Sequence, residues 1–253
     1  MFSKAIVRTP CRAMVNGLTS ASLGIPDCDL ALTQHADYIR ALEACGLQVT
    51  VLPADEAFPD STFVEDAALL TPHCAVITRP GAPSRRGETV SIRQALGAFY
   101  PELEAIDAPG ILEAGDVMMV GRHFYLGLSE RTNSEGARQL IAILEKQGMT
   151  GSVIRLEKVL HLKTGVNYLE NNTLLACGEF LDKDEFREFE VLQVEPAEVY
   201  AANSLWVNGT VLVPAGHSKT RSLISAAGYP TLEVDVSEFQ KLDGGLSCLS
   251  LRF

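Results

Sequence analysis

No apolar run in this sequence approaches the roughly 20 residues that a bilayer-spanning helix requires. The opening residues, Met1 to Pro10, lack the apolar core of a signal peptide and read as a strand, so a cytoplasmic location is expected. Positive charge is scarce: 21 Lys and Arg stand against 32 Asp and Glu, a net charge of −11. That balance disfavours nucleic acid or an anionic membrane surface as the main partner and suits a small cationic ligand. The six cysteines (Cys11, Cys28, Cys45, Cys74, Cys177, Cys248) form no CxxC pair. Their scatter excludes a zinc knuckle and argues against a disulfide framework, leaving reduced thiols. Neither GxGxxG nor a Walker loop occurs, so nothing supports a phosphate site.

What is present is an alternation of strand and helix signals along the whole chain. Strands are expected at 4–8, 47–52, through Thr78, at 153–156 and at 231–235, with helices from Asp27 to Cys45, Glu88 to Tyr100, Thr132 to Gln147 and Ser218 to Ala227. Asn208-Gly209 is a strong two-residue hairpin signal. A polar or reactive residue introduces each apolar strand region: Glu65, Glu113, His161, Asn203 and Cys248, at intervals of 48, 48, 42 and 45 residues. A period of this length, one hairpin and one helix per unit, marks radial repetition. The expected fold is therefore α/β: one domain over 1–253, a five-bladed pseudo-symmetric propeller of ββαβ-like units, its last strand completing the ring. A doubly wound α/β sheet is the plainer alternative.

In a ring, the strand-opening residues converge on the central channel. Gly244-Gly245-Leu246-Ser247-Cys248 gives a backbone free to approach a ligand, followed by a thiol. A lone cysteine is commonly just a small buried hydrophobe. Brought beside an imidazole and a carboxylate, it becomes a nucleophile with a proton shuttle and an orienting group. Those roles fall to Cys248, His161 and Glu113. His73, His123 and His217 sit in turn-like contexts, and His35 lies in a helix, where a solvated or satisfied ring is expected.

Phe58-Pro59-Asp60-Ser61-Thr62-Phe63-Val64-Glu65-Asp66, Glu113-Ala114-Gly115-Asp116, His161-Leu162-Lys163-Thr164 and Gly244 to Cys248 stand in the order and spacing of the guanidino-group-modifying enzymes. From about Ala5 to Phe253 the chain resembles the dimethylarginine dimethylaminohydrolases of bacterial type within that superfamily. The resemblance implies hydrolysis of N-omega-methylated arginines to citrulline and a methylamine, with no metal or organic cofactor. It implies attack by Cys248 on the guanidinium carbon, proton transfer by His161 and support of that ring by Glu113. Glu65 and Asp66 match the guanidinium ligands, Arg85 and Arg131 the residues that hold the substrate carboxylate, and Asp60 with the carbonyl of Leu18 the α-amino contacts. Phe63 is either a wall for the cation or part of the core. The loop Gly17–Gly24 has the composition of a mobile lid.

Deiminases of the superfamily commonly carry Asp two residues after the His. Lys163 stands there, and Ser247 precedes the cysteine where deiminases tend to have His, so a methylated substrate is favoured over free arginine. Two other readings remain: a deiminase acting on arginine, and a non-catalytic binding protein of the same fold, such as a ribosome anti-association factor. A cysteine hydrolase on another fold would need the period to be accidental. The resemblance also implies pairing as a homodimer, and the Cys–His pair has the chemistry to capture Zn²⁺ as an inhibitor.

Overall fold

The computed structural model describes residues 1–253, and its strands group by threes into five small sheets. In chain order, β1 (Lys4–Arg8) is followed by α1 (Cys28–Ala44) and β2 (Gln48–Leu52). The second unit is β3 (Ala68–Leu70), β4 (Ala75–Ile77), α2 (Glu88–Leu96) and β5 (Leu103–Ala105). The third is β6 (Val117–Val120), β7 (His123–Leu128), α3 (Ser134–Lys146) and β8 (Thr150–Arg155). A one-turn helix, α4 (Leu162–Gly165), leads into β9 (Val166–Tyr168), β10 (Thr173–Ala176) and β11 (Glu190–Gln193). The fifth is β12 (Leu205–Val207), β13 (Thr210–Pro214), α5 (Ser218–Ala226) and β14 (Thr231–Val234), and the chain ends with α6 (Ser237–Gln240) and β15 (Leu251–Arg252).

Each sheet repeats one pattern, an antiparallel hairpin plus a third strand parallel to its central member, as in β6–β7–β8. The first sheet is completed from the other end of the chain. β15 pairs antiparallel with β1 (Ala5↔Arg252, Ile6↔Leu251) while β1 runs parallel to β2. The ring is thus closed by main-chain bonds, with the Phe253 carbonyl accepting from Ser3 and Lys4 N–H at 2.8 Å. This five-bladed α/β propeller is the expected architecture. The fourth blade departs from it: short 3-10 turns (Gly178–Asp182, Asp184–Phe186) replace its helix.

Local chemistry explains the elements. Asp27 caps α1, its Oδ1 accepting from Asp29 and Leu30 N–H at 2.9 and 3.1 Å. Asn208 and Gly209 take φ of +50° and +96°, the left-handed pair a two-residue hairpin needs between Val207 and Thr210. Helix α3 buries one stripe, Ala137, Leu140, Ile143 and Leu144, against Phe124 and Leu126 of its own sheet. Helix α1 packs Tyr38 and Leu42 with Phe239, Leu246 and Leu249, joining the first helix to the segment that carries Cys248. Helix α2 ends at Leu96, earlier than the expected Tyr100. No helix is long and apolar enough to cross a membrane.

His35 corrects the expectation of a solvated or satisfied ring. It is buried and its Nε2 has no partner. Burial depresses its pKa from 6.5 to about 4. The unfolded chain therefore binds the extra proton first, and stability contributed by neutral His35 is lost as pH falls from 6.5 towards 4. The loss is about 2–3 kcal/mol by pH ~4.5. In urea unfolding, His35→Leu should lose that much less stability than the wild type between pH ~7 and ~4.5. Equal losses in the two proteins would contradict the assignment.

Candidate active site

The strand-opening residues lie on, or directly beside, short helical turns before the strands rather than on the strands themselves. Glu65 and Asp66 occupy the turn Val64–Ala67, Glu113 precedes the turn Ala114–Asp116, His161 precedes α4, Asn203 follows the turn Pro196–Ala202, and Cys248 lies in the turn Ser247–Leu249. A turn before each strand aims a side chain into the pore while the following apolar residues enter the sheet.

Leu18, Asp60, Phe63, Asp66, Arg85, Glu113, Arg131, His161 and Cys248 all line one cavity of about 290 Å³. Nine of the ten expected site residues therefore converge. The tenth, Glu65, lines a smaller adjoining chamber of about 40 Å³ with Cys248, His161 and Lys163. There Lys163 Nζ lies 2.6 Å from Glu65 Oε1, Arg252 Nη2 lies 3.3 Å from the same oxygen, and Ser247 Oγ donates to Oε2 at 2.8 Å. Lys163, where the deiminases have an acceptor, thus places its charge against Glu65.

His161 Nε2 is 2.8 Å from Glu113 Oε2. With that nitrogen engaged, Nδ1 is left for proton transfer, and it lies close to Gly115, where a Cβ would come within 3.0 Å of it. Glu113 is fully buried, and its Oε1 accepts from Gly81 and Ala82 N–H at 3.0 and 3.3 Å. Burial alone would depress the imidazole. The charges of Asp116 and Asp66 and the bond to Glu113 reverse this and lift its pKa to about 9. The half-buried Cys248 behaves oppositely: burial, then the charges of Glu65 and Asp66, push its thiol up to about 12. The only group donating to its sulfur is Gly245 N–H, at 3.4 Å.

Arg85 is locked. Its Nη1 meets Asp66 Oδ2 at 2.6 Å, Nε and Nη2 hold Glu88, and Nη2 also donates to the Phe63 carbonyl at 3.0 Å. Arg131 is partly exposed and meets only Glu113, at 3.5 Å. Asp60 Oδ1 accepts from Leu18 N–H at 2.9 Å, so it supports the loop as well as facing the cavity. Phe63 does both things envisaged for it: it lines the cavity and packs edge-on against Phe239 at 6.3 Å. The Gly17–Gly24 loop lies across the rim, with Thr19 Oγ1 donating to the Lys241 carbonyl at 2.8 Å and Ser20 Oγ to Asp243 Oδ2 at 3.0 Å.

Ligand atoms of Asp66, Glu113 and His161 come within 4.8 Å of one another. Each residue already has protein partners, and Cys248 is outside the trio. Asn203 gained no role in the sequence reading. Its Oδ1 accepts from Ser247 N–H at 3.0 Å and its Nδ2 donates to the Lys163 carbonyl at 3.0 Å, tying the cysteine turn to the histidine turn. Asp116 was visible only as the end of a motif.

Five three-stranded units closed into a ring, with a thiol, an imidazole and carboxylates at the pore, define an α/β propeller of the guanidino-group-modifying class. The family model described as N,N dimethylarginine dimethylhydrolase, eukaryotic, matches residues 27–201. The chain is 60% identical to the N(G),N(G)-dimethylarginine dimethylaminohydrolase of Pseudomonas aeruginosa over 100% of both sequences. It belongs to the dimethylarginine dimethylaminohydrolase family. A solved structure of that Pseudomonas protein, a cysteine-to-serine variant complexed with citrulline, superimposes with a TM-score of 0.99 at 59% identity, covering 100% of each chain. The N-terminal domain of ArgZ, covalently bound to a reaction intermediate, shares the fold at a TM-score of 0.89 and 19% identity, covering 98% of this chain and 97% of that one.

Proposed function

We propose that residues 1–253 act as one catalytic domain that hydrolyses N-omega-methylated arginines to citrulline and di- or monomethylamine. The observation that carries the reading is a cysteine and a histidine lining one cavity rich in carboxylates, in a chain 60% identical to a named dimethylarginine dimethylaminohydrolase. The guanidinium lies among Asp66, Glu65 and Glu113, and the substrate carboxylate meets Arg131.

With the guanidinium bound, the Cys248 thiol releases its proton to solvent, and the thiolate attacks the guanidinium carbon, forming the C–S bond. His161, protonated at neutral pH because its pKa is about 9, passes a proton to the departing dimethylamine as the C–N bond breaks. Glu113 holds the ring at Nε2 and stabilises its charged form. Neutral His161 then takes a proton from water, which attacks the thiouronium carbon and expels the thiolate with citrulline. Protein side chains and water supply every group these steps require. Lys163, paired with Glu65, puts a cation where the deiminases would present an acceptor to the methylated nitrogen.

Product analysis tests the reading. Asymmetric dimethylarginine should give citrulline and dimethylamine in equal amounts, and arginine should give little of either citrulline or ammonia. Ammonia from arginine at a comparable rate would make the chain a deiminase instead.

A further inference from the structure

Asp116 is fully buried and forms no ion pair. Its charge faces the His161 imidazolium without direct contact, so its desolvation is offset only in part by that cation and by hydrogen bonds. Its two oxygens are nevertheless used on different elements. Oδ1 accepts from Leu162 N–H at 3.0 Å, fixing the backbone immediately after His161. Oδ2 accepts from Ser129 Oγ–H at 2.7 Å. Ser129 Oγ in turn accepts from Arg131 N–H at 2.9 Å and Thr132 N–H at 3.2 Å, and Thr132 Oγ1 accepts from Glu113 N–H at 3.1 Å. One side chain is thus wired to the backbones of His161's turn, Arg131 and Glu113.

We infer that Asp116 is a positioning residue that sets His161 and Arg131 in register, so that the leaving nitrogen faces the imidazole when the substrate carboxylate is held. The inference rests on the proposed reaction and deepens it. Two arms leave Asp116, one towards proton transfer and one, through Ser129, towards substrate capture. Severing them separately should produce different kinetic defects. In Asp116→Asn one of the two acceptor oxygens becomes an N–H₂, which cannot accept from Leu162 N–H or from the Ser129 hydroxyl, and the oxygen that remains is uncharged, so one arm breaks and the other weakens. Ser129→Ala removes the arm that ties Arg131 N–H and Thr132 N–H to Asp116 and leaves the bonds from Leu162 N–H to Asp116 and from Glu113 N–H to Thr132 in place.

The test compares asymmetric dimethylarginine with its decarboxylated counterpart, asymmetrically dimethylated agmatine, which offers Arg131 nothing to hold. Ser129→Ala should raise KM for dimethylarginine about 10-fold and leave KM for the decarboxylated compound at the wild-type value. Asp116→Asn, assayed well below its melting temperature, should lower kcat on both compounds by about 10- to 100-fold. A Ser129→Ala defect equal on both compounds, or an Asp116→Asn kcat at the wild-type value, would reduce the network to scaffolding and overturn the inference. Hydrogen exchange decides the wiring without turnover: amides of Arg131, Thr132 and Leu162 should exchange at least about 10-fold faster in Asp116→Asn, with core amides unchanged. Unchanged exchange at those three amides overturns the inference. A wild type silent on dimethylarginine sinks the proposed reaction alone, because the exchange measurement still reads the tethers.

Discussion

In the free protein Cys248 should show no thiolate absorbance up to about pH 10, and with a guanidinium ligand bound it should titrate about 3 pH units lower. The resting thiol is pushed up to about 12 by burial and by the charges of Glu65 and Asp66. A unit positive charge about 4 Å from the sulfur, at an effective dielectric of about 20, stabilises the thiolate by about 4 kcal/mol. At 1.36 kcal/mol per unit that brings the pKa from about 12 to about 9 and raises the thiolate fraction at neutral pH on the order of 10³-fold. The substrate would then create its own nucleophile, because the charge that polarises the guanidinium carbon also cancels the field opposing ionisation. Lys163, which already favours the thiolate, is too committed to Glu65 to do this alone.

The readout is ultraviolet difference absorbance against pH, with the Cys248→Ser protein subtracted to remove the other five cysteines. A non-hydrolysable guanidinium or amidinium compound serves as ligand. A thiol ionised at neutral pH without ligand would contradict the electrostatic argument. A titration that the cation leaves unmoved would leave activation to some other group. The same Cys248→Ser protein should keep its melting temperature and lose turnover by at least about 10³-fold.

The ring and its pore residues were legible because two periodicities coincide. Apolar strand runs recur with a helix between them, and a polar residue precedes each run, so the spacing pointed Glu65, Glu113, His161, Asn203 and Cys248 towards one channel, and the family motifs agreed with it. Elements without their own signal escaped. β5 is three half-buried residues with no alternation, and β11 follows 3-10 turns where a helix was anticipated. The helical turns that present the site residues are too short for any period, and tertiary packing fixes them. Pairings were less accessible still. Lys163 meets Glu65 across 98 residues of sequence, and Asp116 reaches Ser129 and Leu162 on separate elements. A motif names such residues without revealing which neighbours they hold.

Arg85 and Arg131, alike in the sequence reading, should separate completely on substitution. Arg85 is buried with Glu88 and Asp66, and its donors go to those carboxylates and to backbone carbonyls. Arg85→Met leaves two buried carboxylates without their cation, and breaking such a pair costs about 3–5 kcal/mol. The loss should depend on pH with a definite sign. Burial, assisted by the charges of Asp60 and Asp66, raises Glu88 to about 7 even with Arg85 beside it. Without Arg85 the carboxyl goes higher still, so the folded variant holds a proton that the unfolded chain releases above its usual pKa of 4.5. Stability of the variant relative to the wild type should therefore be poorest near pH ~8 and recover towards pH ~5. Arg131, partly exposed with a single 3.5 Å partner, carries no such burden. Arg131→Ala should leave the melting temperature within about 2 °C of wild type and raise KM for dimethylarginine about 100-fold, the loss expected for a charged hydrogen bond to a carboxylate. Urea unfolding at the two pH values and steady-state kinetics on both variants make the comparison. An Arg85→Met protein as stable as the wild type at pH ~8 would mean that Glu88 and Asp66 do not depend on the guanidinium. An unchanged KM in Arg131→Ala would return the substrate carboxylate to Arg85.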